Sequence, residues 1–257
     1  ITDIPTETLT LETFDYAVTG DGELAMLEIV MGQHARGIIA NRQVKDLNIL
    51  PYPDYDAIPL ERYTMTIDGK KATTVITSRG CKFSCFYCGS AHTGWRPRSA
   101  EHVVGELEML YQLGYRAFYI ADDIFTFDFK RVSEICRLIK ERIPEPISWR
   151  ATTRSSLLTQ EMCHEMASAG CKVVSIGLES GSNTVLKAMQ KQTTIEIQKR
   201  GLEYCKNAGI SVKGFFIFPL PSETKETAEQ TKEWERGKKD ADTIGRPPTQ
   251  VPNPLTP

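Results

Sequence analysis

The stretch Thr73-Thr74-Val75-Ile76-Thr77-Ser78-Arg79-Gly80-Cys81-Lys82-Phe83-Ser84-Cys85-Phe86-Tyr87-Cys88 runs from a β-branched segment straight into three cysteines spaced C-x3-C-x2-C. Residues 73–78 read as a strand, because β-branched side chains pack well on a pleated surface. Arg79-Gly80 ends it, so the cysteines fall in a loop at a strand's C-terminal end, the side on which βα folds build their active sites. Thiolates select iron–sulfur clusters or zinc, and a closed structural zinc site takes four ligands where this loop supplies three. A cubane held by three cysteines keeps one iron open. His92 keeps a second reading alive, since it could complete a zinc site in a non-catalytic interaction module.

Outward from the cysteines, short β-rich runs alternate with amphipathic stretches, the pattern of βα units around a parallel sheet. Ser99 is placed to cap a helix whose Val103, Val104, Leu107, Leu110 and Tyr111 share one face. Gly114, Gly170 and Gly209 each close a helix just before a strand. Val132, Ile135, Cys136 and Ile139 form another helix face, which ends before Pro144. Strands are expected at 117–120, 148–152, 173–179 and 211–218, with a sixth at best at Asp242-Thr243-Ile244. Five or six such units with right-handed crossovers give a full or partial barrel or an open sheet, and periodicity alone does not choose.

The chain has 257 residues, 31 Lys plus Arg against 33 Asp plus Glu, and seven cysteines. Its near-balanced charge provides no field to draw in nucleic acid or anionic lipid, and no apolar run is long enough to span a membrane. An odd cysteine count with three clustered fits reduced thiols and a cytoplasmic setting better than a disulfide framework. Cys136, Cys163, Cys171 and Cys205, with Met162, Met166 and Met189, read as core filling. The N-terminal part is patterned differently, with a strand near residues 14–18, a turn at Gly20-Asp21-Gly22, a helix near 23–31 and then an irregular stretch containing Pro51, Pro53 and Pro59. The expected division is 1–45 as a partial domain, 46–72 as a linker, 73–245 as the α/β core and 246–257 as a disordered proline-rich tail.

The cysteine motif, with Tyr87 as the aromatic residue before its third cysteine, resembles that of the radical S-adenosylmethionine (SAM) superfamily. Arg96-Pro97-Arg98-Ser99, Glu101 to Glu106 and Phe118-Tyr119-Ile120-Ala121-Asp122-Asp123-Ile124-Phe125 resemble its cobalamin-dependent branch. The resemblance covers about residues 10–235. It implies a partial TIM-like (β/α)6 barrel and a 4Fe-4S cluster on Cys81, Cys85 and Cys88. The open iron would take the amino and carboxylate groups of SAM, and one electron would yield methionine and a 5′-deoxyadenosyl radical. A small-molecule substrate and a reducing partner such as flavodoxin or ferredoxin follow from the same likeness.

In that family the end of strand two contacts the SAM amino group, which here falls on Ala121, Asp122 and Asp123. Paired carboxylates suit an ammonium, while either alone could simply cap a helix. Ile176-Gly177-Leu178-Glu179-Ser180-Gly181-Ser182 resembles the strand-four motif that approaches the SAM ribose or carboxylate, making Glu179 and Ser180 candidates beside Tyr87. Arg150 and Arg154 flank the end of strand three and could hold the SAM carboxylate in a bidentate pair, or stand exposed without a partner. Gly214 to Thr224 resembles an apolar strand followed by G-x-P-G-E-T, with Pro219 and Ser222 where glycines are usual.

Phe14 to Glu23 and Asp46 to Pro53 resemble the last strand and exit linker of a Rossmann-like cobalamin-binding domain, of which 1–45 would be a remnant. The D-x-H-x-x-G motif of such domains does not occur in these residues, and His34 is a poor substitute. The implied activity is cobalamin-dependent methyl transfer or a radical rearrangement or cyclisation. The alternative within the superfamily, a methylthiotransferase of tRNA or a ribosomal protein, calls for three further cysteines upstream and a basic RNA-binding module.

Overall fold

Side-chain alternation along each strand decides where the core lies and which face is left for chemistry. A computed structural model describes residues 5–10, 13–40, 43–220 and 222–236. The chain divides into two units, Ile1–Ile49 and Leu50–Pro257.

The first unit contains α1 (Pro5–Leu9), β1 (Tyr16–Val18), α2 (Glu23–Val30) and β2 (Gly37–Ile39). β1 and β2 pair in parallel across the α2 crossover, with Ala17 and Ala25 fully buried. The sequence shows β1 and α2 but not β2, because three residues are too few to display a period.

The second unit begins with β3 (Thr66–Ile67), β4 (Lys70–Val75), β5 (Ser78–Arg79) and β6 (Arg96–Pro97). Then follow α3 (Ala100–Gln112), β7 (Ala117–Ile120), α4 (Phe129–Arg142), β8 (Ser148–Thr153), α5 (Gln160–Ser168) and β9 (Cys171–Glu179). α6 (Asn183–Ala188), α7 (Ile195–Asn207), β10 (Ser211–Phe216) and α8 (Lys225–Arg236) complete it. The main sheet has the order β10-β9-β8-β7-β4-β3. Its strands from β4 to β10 are parallel neighbours in sequence order, and β3 adds an antiparallel edge that pattern reading did not anticipate. The sheet is a curled half-barrel, the partial TIM-like barrel expected. The segment 237–257, which includes the expected sixth strand at 242–244 and the proline-rich tail, lies outside the described residues. No described helix is long and apolar enough to cross a membrane.

Each helix is specified locally. Ser99, Asp128, Thr159 and Thr194 cap α3, α4, α5 and α7, their side-chain oxygens accepting from the N–H of the residue three positions on. Gly114, Gly170 and Gly209 have positive φ and follow α3, α5 and α7, as expected. Phe118, Ile120, Trp149, Ala151, Val174, Ile176 and Phe216 pack on the apolar helix faces, among them Leu107, Leu110, Val132, Ile135 and Met166. Cys136, Cys163, Cys171 and Cys205 are buried, as are Met162, Met166 and Met189, so both sets are core residues. All seven cysteines are free thiols.

Of the linker expected at 46–72, the part from Leu50 belongs to this unit, with Tyr55 in the main core. Its hydroxyl donates to Glu106 Oε1 at 2.6 Å, and Glu106 also pairs with Arg98. Burial and the neighbouring Glu106 carboxylate raise the Tyr55 phenol above its ordinary pKa, keeping it a donor. Arg98 and Arg131 tie down the β4–β5 junction. Arg98 donates to Ile76 O at 2.7 Å, and Arg131 donates to Thr77 O at 2.7 Å and Arg98 O at 2.8 Å.

Asp122, just past β7, fixes the same junction from the other side. Its carboxylate is 3 % exposed and accepts from Thr77 N and Oγ1, both at 2.6 Å, and from Ser78 N at 3.0 Å and Oγ at 2.6 Å. Burial raises its pKa, and the Ser78 and Thr77 donors oppose the shift.

Removing one member of these networks leaves buried partners unsatisfied. Asp122→Ala should lower the unfolding free energy by about 3 kcal/mol in denaturant titrations, while Asp123→Ala next to it, on the exposed side, should be close to neutral. Glu106→Ala should cost about 3 kcal/mol or more by leaving the Arg98 guanidinium buried and unpaired.

Candidate functional site

The cysteine loop opens between β5 and β6, whose two-residue ladder pairs Ser78 with Pro97 and Arg79 with Arg96. Gly80 makes the first turn with a φ of 84°, and a Cβ there would collide with the Gly94 carbonyl oxygen, so only glycine fits. The loop then folds on itself: Cys81 N donates to Thr93 Oγ1 at 3.1 Å, Cys88 N to Cys85 O at 3.1 Å and His92 N to Phe83 O at 3.1 Å.

Cys81, Cys85 and Cys88 all line one cavity of about 230 Å³ at the C-terminal end of the sheet. Asp123, Thr152, Arg154, Gly177, Glu179, Lys191 and Phe215 contribute to its other walls, with Tyr87 and Phe83 from the cysteine loop itself. It therefore gathers residues from the ends of β7, β8, β9 and β10.

Two of the three sulfurs already accept N–H donors. Arg154 Nη1 donates to Cys85 Sγ at 3.2 Å and Phe83 N to Cys81 Sγ at 3.5 Å. Burial pushes the Cys81 thiol up, and the Phe83 N–H and Arg154 charge pull it back. Three soft donors, two of them with N–H groups aimed at their sulfurs, fit an iron–sulfur cluster, whose sulfur ligands are tuned by such bonds. Among the described residues no three His, Cys, Asp or Glu side chains close around a single metal ion. His92 is exposed and lies outside the cavity lining, so the fourth ligand expected of a zinc site is not delivered there.

Glu179 ends β9 in a left-handed conformation, φ 63°, which costs a residue with a Cβ about 1–2 kcal/mol. Its Oε1 accepts from Lys191 Nζ at 2.7 Å and from Tyr87 Oη at 2.9 Å, and Lys191 Nζ also lies 3.0 Å from Tyr87 Oη. Both Glu179 and Lys191 are 6 % exposed. Gly177 makes room for them, because a Cβ there would run into Glu179 Oε1 and Lys191 Nζ. Burial first, then the Glu179 charge, raises the Tyr87 phenol well above its ordinary pKa. Asp123 accepts from Gly80 N at 3.1 Å and Ser90 Oγ at 2.7 Å, which leaves lone pairs facing the cavity. Arg154 stacks on the Phe83 ring 3.7 Å from its centroid and also donates to the Lys191 carbonyl.

Of the residues singled out in the sequence, the cavity collects the three cysteines, Tyr87, Asp123, Arg154 and Glu179. The other four serve elsewhere. Ala121 does not line the cavity, its N–H donating to Val75 O at 2.9 Å, and the Asp122 carboxylate accepts from the β4–β5 junction. Ser180 Oγ contacts Thr231 Oγ1 at 3.1 Å, fastening α8 rather than facing the cavity. Arg150 points into the curled sheet over the Tyr119 ring, 4.2 Å from its centroid. It is partly buried and does not line the cavity.

Sequence reading misses Lys191. Twelve residues beyond Glu179, past a short helix, no spacing rule links the two; only the return of the chain after α6 brings them together. Ser222, where the resembling motif has glycine, holds a φ of 69°, so the turn keeps the left-handed backbone that glycine would adopt freely.

The chain is similar to several known proteins. An uncharacterized methyltransferase of Pyrococcus horikoshii is 32% identical over 239 residues, covering 84% of this chain and 51% of the relative. Anaerobic magnesium-protoporphyrin IX monomethyl ester cyclase of Rubrivivax gelatinosus is 29% identical over 248 residues, covering 84% and 44%. The solved structure of the cobalamin-dependent S-adenosylmethionine radical enzyme OxsB with aqua-cobalamin bound has the same fold, at a TM-score of 0.76 and 22% identity over 91% of this chain and 38% of that one. The chain thus spans about half, or less, of the length of these proteins. Residues 75–234, which carry the cysteine loop and every wall of the cavity, match the family described as Radical SAM superfamily, and the chain belongs to that superfamily.

Proposed function

We propose that this chain carries the catalytic core of an enzyme that cleaves SAM reductively, in the service of cobalamin-dependent methyl transfer or a related radical rearrangement or cyclisation. The observation that supports this most is the convergence of Cys81, Cys85 and Cys88 on one cavity with an acidic wall and two buried cations. A 4Fe-4S cluster held by these cysteines would supply the electron that breaks a carbon–sulfur bond of SAM.

The remaining work belongs to the chain's own side chains. Asp123 offers its free lone pairs to the SAM ammonium. Arg154 and Lys191 face the SAM carboxylate, and Arg154 also holds Cys85 through its N–H. Glu179 accepts from a ribose hydroxyl, with Tyr87 orienting it and walling the cavity. The tight cysteine loop and the aromatic Phe83 keep water from the reacting centre.

For the larger protein, the relatives' names support a methyltransferase or cyclase on a small-molecule substrate, with cobalamin bound by a domain of which residues 1–45 are part. A cytoplasmic setting and a flavodoxin- or ferredoxin-like electron donor belong to the same reading. The methylthiotransferase alternative gains nothing from the cysteines outside the loop, since those four are core residues.

Anaerobic reconstitution with iron and sulfide should give a brown protein that releases 5′-deoxyadenosine from SAM under a strong reductant. Cys85→Ala should lose both the colour and the product while keeping its far-ultraviolet circular dichroism. Continued 5′-deoxyadenosine release by that variant would overturn the assignment. Asp123→Asn should keep the cluster but weaken SAM binding about tenfold by equilibrium dialysis, since one charge-assisted contact to an ammonium is worth roughly 1.5–3 kcal/mol.

A further inference from the structure

Arg150 and Lys213 are two cations left without a counter-charge on the inner face of the half-barrel. Arg150 lies two residues before Thr152 on β8, and Lys213 two before Phe215 on β10, so each shares the inward face with a cavity-lining residue. Register aligns Thr152 with Ser175 and Ser175 with Lys213, while Arg150 aligns with Tyr119 and Val173 one row deeper. The two therefore occupy neighbouring inward rows on either side of β9, directly beneath the cavity.

Neither has an acidic partner among the described residues. The Arg150 guanidinium meets only the Tyr119 ring and Met65 Sδ, the latter at 3.8 Å, and its Nε is buried with no hydrogen bond. Lys213 Nζ has only the Phe215 ring, 5.3 Å to the centroid. The inward positions Thr74, Tyr119, Thr152, Val173, Ser175 and Gly177 carry no carboxylate, and the acid that reaches this face one row below Arg150, Asp68, accepts from the Ser148 hydroxyl at 2.9 Å. At the mouth Glu179 is paired with Lys191, while Asp123 accepts from Gly80 N and Ser90 Oγ and makes no ion pair with Arg150 or Lys213. A partly desolvated cation held only by an aromatic face recovers less than an anion would give it.

We infer that Arg150 and Lys213 bind an anionic group, carboxylate or phosphate, of the molecule that the SAM-derived radical attacks, an inference that rests on the SAM-cleaving function proposed above. Arg150 supplies the planar fork that matches either anion, and Lys213 a mobile point charge from the facing strand. The group anchored there lies below the cavity, so the reacting carbon of the same molecule is held up toward it.

The test uses the reconstituted full chain, with inorganic phosphate and succinate as probes, titrated by calorimetry at constant ionic strength. One or both should saturate in about the millimolar range, phosphate alone marking a phosphorylated substrate and succinate alone a carboxylate. Arg150→Gln and Lys213→Gln should each weaken that binding about tenfold, and Arg150→Lys should recover part of it, which packing against Tyr119 alone would not do. Absence of saturable binding by either probe, or equal binding by the wild type and the Arg150→Gln/Lys213→Gln double variant, overturns the inference. Iron content and melting temperature check that each variant is folded. Release of 5′-deoxyadenosine by the wild type without any probe decides the underlying function separately.

Discussion

The position of the cysteine loop depends on one buried carboxylate. Asp122 leaves the end of β7 and receives both the backbone and hydroxyl donors of Thr77 and Ser78, the residues between β4 and the loop. Strands β4 and β7 are already neighbours in the sheet, but a ladder fixes only their pairing, not the direction in which the chain leaves β4. Four hydrogen bonds to one anion, with Arg131 gripping Thr77 from α4, fix that direction. The loop starts from a defined place, and its three sulfurs reach the cavity formed by the other strand ends.

The two faces of the curled sheet divide the labour. The helix side is filled with aliphatic and aromatic side chains and carries the stability of the unit. The inward side bears hydroxyls, a tyrosine, glycine and cations, which are costly as packing and useful as contacts. Gly177 serves the same division, being the inward position where a side chain would displace the Glu179–Lys191 pair. Glu179 holds a strained backbone at the point where β9 meets the cavity, a place where such strain is commonly stored.

Much of this is legible in the sequence, and the exceptions have physical causes. Helix faces such as Val103–Leu107–Leu110 and the glycine-closed helix ends follow from local rules, so α3, α4 and strands β7 to β10 fall within a few residues of their expected places, while the first expected strand, 73–78, is divided between β4, which ends at Val75, and β5 (Ser78–Arg79). The cysteine spacing marks the site, and family likeness extends it to Asp123 and Glu179. Asp122 and Ser180 do not line the cavity, because a linear motif does not say which of two adjacent polar residues turns inward and which turns to a neighbouring strand or helix. Arg150 sits one row below the cavity-lining Thr152 for a related reason: the period of two gives the face of a strand residue but not its height relative to a loop far away in the chain. Lys191 is invisible to pattern reading because its partners are gathered by tertiary return. β2 and β3 escape it because two- and three-residue strands owe their existence to their neighbours.

Arg154 bridges two walls that the chain supplies from distant segments, donating with one nitrogen to Cys85 and with another to the carbonyl of Lys191. Because a guanidinium is a rigid plane, its two amino groups cannot shift independently. Any displacement of the Cys85 sulfur is therefore geared to the backbone that carries the Lys191 ammonium, and the cysteine wall and the Glu179–Lys191 wall of the cavity move as one lever. An ammonium at this position, free to rotate on a flexible stem, would leave those two sides mechanically uncoupled.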